Sequence, residues 1–439
     1  MGKYFNPDNI DFRRKLASPV YVDKSGLISL LNPRIGVKDD KNLCVSRARR
    51  FGKTWTADML KAYYSRGCDS RALFEKLAVA ADPSFAKHLN DYDVVHVNMA
   101  EFYLAADRDV ERTIRIITEK VGNEIYGQYP DVRFDQNDAL SFTLADLFEH
   151  AHRKIIFIVD EWDHILRDRP DHASQKRCLD FLCLLFRDKG YVGLCYLTGI
   201  LPMRRLIGAS DACFFTDRSV IKPHEFAPFV GFTEAEVLDL CLKFDMDFEM
   251  MKSWYDGYRY ENVGSVFCPL SVTSAIEKRD YDDYWNQAGA FETVRDLMNK
   301  DFRGLRDAAV KLLAGESVKA DSGSCLNDLN DLGNSNDVLT ILAHLGYLSF
   351  ASKEWSEGQA FIPNWETARQ FAAAVQGADL PGVRELIGDS KKILEATWRL
   401  DGAFVAEKLD EVRALETSIL RYDDEISLAR LICLAYFAA

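Results

Sequence analysis

"SRARRFGKTW", residues 46–55, decides how the rest of the chain is read. Gly52-Lys53-Thr54 is how a phosphate-binding loop ends. The glycine that normally stands five positions before Gly52 is missing, and Arg47 occupies its place. Such a loop works because successive backbone N–H groups converge at a helix N-terminus. Gly52 would supply the backbone freedom beside the lysine, Lys53 would reach the β- and γ-phosphates, and the Thr54 hydroxyl would ligate Mg²⁺. A basic surface turn is the competing reading of the same ten residues.

The segments around the loop favour a sheet rim. Residues 43–46, 93–99, 155–161 and 191–200 are short apolar runs, predicted as strands. Helical patterns separate them, among them "TWTADMLKAYYSRG", "VERTIRIITEKVGNEIYGQY" and "SQKRCLDFLCLLFRDKG". Strands apolar on both faces, alternating with helices, predict an α/β fold whose parallel sheet is covered on both sides. Ligands bind such sheets beyond the C-terminal strand ends.

"IIFIVDEWD" delivers Asp160 and Glu161 to that same rim. An aspartate there can hold Mg²⁺ through water, and a glutamate beside it can orient or deprotonate an attacking water. An acidic turn ending a strand is the bland alternative, but loop and acids in the correct order on one sheet favour a nucleotide site. Thr198, at the end of the fourth strand, would present its hydroxyl to the γ-phosphate or the lytic water, or else satisfy a local turn. The expected nucleotide cradle comprises Arg49, Arg50, Phe51, Gly52, Lys53, Thr54 and Trp55, with Thr54 and Asp160 for Mg²⁺ and Glu161, Lys53 and Thr198 for catalysis. Arg49 and Arg50 either donate to a polyphosphate or pair with acidic neighbours outside the cradle. Arg204 and Arg205 are further arginine candidates. The strand that follows the acidic pair predicts the additional-strand type of P-loop core.

Composition sets the bounds. The chain has 439 residues, 48% of them hydrophobic, with a formal net charge of −13. Several domains are expected at this length, and the acidic balance argues against coating nucleic acid. No apolar run reaches the ~18–20 residues of a membrane span, and no signal core opens the chain, so a cytoplasmic location is expected. The ten cysteines lack a CxxC pair, which predicts reduced thiols, and the eight histidines do not cluster with carboxylates at metal-ligand spacing, so no structural zinc is expected.

Five regions are expected: an N-terminal arm at 1–30, a P-loop core at 31–220, a helical lid at 221–316, a winged-helix-like module at 317–375, and a helical linker at 376–439. Thr233 is predicted as the N-cap residue before "EAEVLDLCLKF". "WYDGYRY" at 254–260 reads as aromatic packing. Residues 281–315 read as helix, and 320–337 as a loop. "RYDDEISLARLICLAYFAA" at 421–439 keeps helical spacing to its last residue and looks like the cut start of a further domain.

Together these motifs resemble the predicted AAA-ATPase-like family of bacterial proteins, often fused to a C-terminal nuclease of the PD-(D/E)xK class. The matches are "YVDKSGLI" at 21–28, "RARRFGKT" at 47–54, "VDEWD" at 159–163, "LTGIL" at 197–201, "FVGFTEAEV" at 229–237 and "WYDGYRY". "CPLSV" at 268–272, "YW" at 284–285, "LGYLSF" at 345–350 and "IPNWE" at 362–366 continue the series. The resemblance implies that an arginine at position 47 is normal for the family. It also implies ATP and Mg²⁺ as cofactors, with Lys53 and Thr54 as the phosphate and metal residues and Asp160 and Glu161 as the acidic pair. Ala48, Trp162, His164 and Cys268 depart from the family pattern. "YVDKSGLI" either covers the base or docks the N-terminal arm. Since no E-x-K triplet follows residue 421, nuclease activity is not expected here, and nucleic acid would be met only through a missing C-terminal domain. A homo-oligomer or a protein partner is compatible with the pattern. A nucleotide-dependent switch with little hydrolysis and a nucleic-acid-binding module are the rival readings, the latter weakened by the scant basic charge of "DVLTILAHL" and "NWETARQFAAAV".

Overall fold

Five strands build the sheet of the N-terminal unit in a computed structural model of the chain: β1 Asn42–Ser46, β2 Asp93–Asn98, β3 Ile155–Asp160, β4 Val192–Gly199 and β5 Thr216–Arg218. The residues described are 2–132, 135, 137–168, 171–203, 214–260, 263–285, 288–300, 302–321, 332–352, 357–377, 383–416, 432, 435 and 436. The strand order is β2-β3-β4-β1-β5, and every neighbouring pair is parallel. Insertion of β4 between β1 and β3 is the additional-strand arrangement expected from the sequence. Every residue of β1, β3 and β4 is buried, which explains why these runs are apolar on both faces. Each fully buried aliphatic side chain contributes about 1.5–3 kcal/mol, so this central trio fixes the fold.

The margin beyond β2 is closed by the N-terminal arm. Phe5 pairs antiparallel with Val95, the Asn6 amide donates to the Val94 carbonyl, and the His96 amide donates to that of Tyr4, both at 2.8 Å. The Glu124 carboxylate accepts the amides of Lys3, Tyr4 and Phe5 at 3.0, 2.8 and 2.8 Å. This tethers three otherwise unpaired donors.

Contacts divide the chain near residue 232, and residues 233–321 and 332–436 of the description form a second unit. Thr233 caps the helix Glu234–Phe244 in a capping box with Glu236. Of the segment 281–315, residues 288–298 and 305–313 are helical, while 281–285 are not. There the Glu366 carboxylate accepts the amides of Tyr284 and Trp285 at 2.7 and 2.9 Å, donors that are thereby taken from any helix. The helix Ser335–Leu345 precedes an antiparallel pair, Ser349–Ser352 with Glu357–Phe361, which Val318–Asp321 extends to three strands. This is the helix and hairpin of a winged-helix-like module. Residues 322–331 of the expected loop, Arg204 and Arg205, and nearly all of 421–439 lie outside the described residues. Gly257, inside "WYDGYRY", has φ +100°, and a Cβ there would collide with the Pro363 carbonyl. The turn is thus seated on the "IPNWE" segment.

Glu366 is nearly fully buried and also accepts the Ser271 hydroxyl at 2.7 Å. Burial pushes its carboxyl up to about 7, against those hydrogen bonds. Its ordinary value is 4.5, so between about pH 4.5 and 7 the folded chain holds a proton that the unfolded chain has released. Stability from this group is complete below that window and is lost as pH rises through it. The expected loss is roughly 3 kcal/mol. Urea unfolding of Glu366→Gln, compared with the parent from pH 5 to 8, should flatten this slope; identical slopes would remove Glu366 as its source.

Candidate functional site

The loop between β1 and the helix Lys53–Tyr64 takes its shape from two left-handed residues, Arg50 at φ +67° and Gly52 at φ +80°. A side chain at Gly52 would meet nothing within 4 Å, so its glycine is required by backbone conformation and not by space. Gly52 stands at the N-terminus of a twelve-residue helix, where backbone amides favour an anion.

Arg47 is fully buried. Its Nη1 donates to the Ser46 and Arg218 carbonyls, both at 2.8 Å, and its amide donates to the Gly199 carbonyl at 3.0 Å. The residue that replaces the expected glycine therefore stitches the ends of β1, β4 and β5 beneath the loop. Lys53 is nearly buried, and its Nζ donates to the Arg47 and Ala48 carbonyls at 3.0 and 2.8 Å. Burial pulls its ammonium below the usual lysine range, opposed by Glu161, Asp160 and Asp163.

The loop and the acidic strand end meet. Thr54 Oγ1 donates to Asp160 Oδ2 at 2.8 Å, and Asn98 Nδ2 reaches the same oxygen at 3.4 Å. Burial and then the adjacent Glu161 carboxylate push Asp160 up to about 6, while Thr54 and Lys53 oppose the rise. A fully buried carboxylate beside a threonine hydroxyl, with a second acid next to it, is a donor set suited to a hard divalent cation. Thr198 lies opposite Asp160 in the β3–β4 register. Its hydroxyl is buried without a hydrogen-bond partner among the described residues, which leaves an unused donor at the rim.

The strand expected to run to residue 161 ends at Asp160, and Glu161 turns away at φ +51°. Its carboxylate pairs with Arg167, whose Nε also holds Asp163 at 2.9 Å. Asp163 in turn accepts the amides of Ile200 and Leu201 at 3.0 and 2.8 Å. Of the remaining cradle residues, Phe51 is buried, Arg49 is half-buried, and Arg50 and Trp55 are exposed. Lys15 Nζ lies 5.2 Å from the centre of the Trp55 ring and 3.3 Å from the Thr54 carbonyl.

Sequence reasoning missed Asn98, Asp163 and Arg167 as site residues. Asn98 had a signal, since it ends β2 at the same rim and caps the helix Met99–Ala105 through the Glu101 amide. Asp163 and Arg167 had a weaker one, an acid and an arginine four apart just after the strand.

A parallel five-stranded sheet with β4 inserted, a glycine-lysine-threonine loop after β1 and an aspartate ending β3 define a P-loop nucleotide-binding fold. Within that class, residues 11–206 match the model of the AAA-ATPase-like family, described as a predicted AAA-ATPase. No curated protein matches the chain. Among solved structures, it is similar to the Aeropyrum pernix ORC2 protein in its ADPNP–ADP complexes, at 13% identity and a TM-score of 0.36, covering 83% of this chain and 98% of that one. The Aeropyrum pernix ORC1 protein in complex with DNA gives 13% identity and a TM-score of 0.28, over 85% and 97% of the two chains. Cdc6p from Pyrobaculum aerophilum gives 11% and 0.29, over 85% and 98%. Among the described residues, no helix is long and apolar enough to cross a membrane.

Proposed function

We propose that the chain binds ATP with Mg²⁺ and hydrolyses it. The observation that carries this reading is the hydrogen bond from Thr54 Oγ1 to Asp160 Oδ2, beside a nearly buried Lys53. Thr54 and Asp160 would hold Mg²⁺, which when bound supplies positive charge to the polyphosphate. Lys53 would leave the Arg47 and Ala48 carbonyls to meet the β- and γ-phosphates. Arg49, Arg50, Phe51, Gly52 and Trp55 would complete the cradle, largely through backbone amides. As water bonds to the γ-phosphorus, the bond to the β-phosphate oxygen breaks and ADP leaves with that electron pair. Glu161 takes the proton from the water, and Thr198 helps to place it.

In this reading the arm at 1–30 and the core at 31–220 carry the site. The regions 221–316, 317–375 and 376–439 serve as lid, winged-helix-like module and linker. The role as regulatory or motor part of a nuclease-associated protein rests on the motif series alone, and the cytoplasmic location on the sequence's lack of a membrane-length apolar run and of a signal core.

Lys53→Ala is expected to weaken ATP affinity about 10- to 100-fold, the loss of one strong charge-assisted contact. Titration of labelled ATP with Mg²⁺ into both proteins measures it, with a thermal melt to show that the fold persists. Equal affinity would remove Lys53 from the site. The pairing of Glu161 with Arg167 favours a second reading, a nucleotide-dependent switch in which hydrolysis is slow.

A further inference from the structure

We propose that Arg167 is a positioning residue that restrains Glu161, and that its grip is tied to the segment following β4. The proposal rests on the hydrolytic reading above, in which Glu161 is the base. Among the described residues, the Glu161 carboxylate bonds to the Arg167 guanidinium and to no group of the loop. Glu161 is itself held in the left-handed region, a conformation that a glutamate adopts only when its surroundings impose it. Arg167 is largely buried, and its planar fork spans two carboxylates, Glu161 through Nη2 and Asp163 through Nε. Asp163 is fully buried, and its Oδ2 accepts the amides of Ile200 and Leu201, immediately beyond Thr198 and Gly199.

The chain of contacts therefore runs from Glu161 through Arg167 and Asp163 to the backbone at the end of β4. One carboxylate oxygen committed to a guanidinium is one fewer to accept a proton from water. Moving residues 200–201 relative to β3 would strain the Asp163 bonds and loosen the fork, freeing Glu161.

The test measures ATP turnover in Arg167→Gln, Arg167→Lys, Glu161→Gln and the Arg167→Gln/Glu161→Gln pair, each checked by thermal melting. Lysine keeps a charge beside Asp163 but cannot span both acids, so it decides the matter if the glutamine variant does not fold. Expected is a rise in kcat of about fivefold with KM little changed, the scale of one partly exposed ion pair. The gain should vanish when Glu161 is glutamine. A folded Arg167 variant with unchanged or lower kcat, while Glu161→Gln still slows turnover, overturns the restraint and leaves the hydrolytic reading standing. Turnover unaffected by Glu161→Gln overturns the base assignment, and the restraint with it.

Discussion

Glu161→Gln is expected to lower ATP turnover by about 100- to 1000-fold, with ATP affinity held within about twofold. The amide has the shape of the carboxylate but cannot take up a proton. The side chain is partly open to solvent and adjacent to Asp160, which Thr54 and Asn98 already engage. The cost in stability should stay below about 1 kcal/mol, because the pair with Arg167 is partly exposed and Arg167 retains Asp163. Single-turnover measurements with excess protein separate chemistry from product release. A variant that hydrolyses as fast as the parent would take Glu161 out of the reaction and leave the chain a binder of nucleotide at most.

Restoring the usual loop glycine with Arg47→Gly should break the protein instead of improving it. The guanidinium is fully buried and donates to the carbonyls that end β1 and β5. Glycine would strand both acceptors, leave a cavity, and free the backbone whose carbonyl holds Lys53. These losses amount to roughly 3–5 kcal/mol. For a unit of this size, the unfolding midpoint should fall on the order of 10 °C. Calorimetry of the variant checks this, and an unchanged midpoint would mean that the arginine braces nothing.

Sequence carried the central sheet well because burial leaves its mark on both faces of β1, β3 and β4. It also brought Thr54 and Asp160 to one rim, since parallel crossovers return each strand end to the same side. β5 escaped because its three residues, Thr216, Asp217 and Arg218, are polar and half-buried, with no periodicity to read. The role of Arg47 escaped for a different reason: an arginine in a loop is ordinarily solvated, and the Ser46 and Arg218 carbonyls that receive its guanidinium are brought together only by the fold. Arg167 depends on a helix of four residues, His164–Arg167, too short to leave a pattern.

The pairing of residues 4–6 with β2 has a bearing on assembly. A sheet margin ordinarily invites another chain to join it through backbone amides and carbonyls. Here that berth is taken by the protein's own leading residues, moored at Glu124. An incoming strand would first have to evict them, so association with neighbours on this side must be negotiated by side chains, and a bulky tag fused ahead of Lys3 risks prising the margin open.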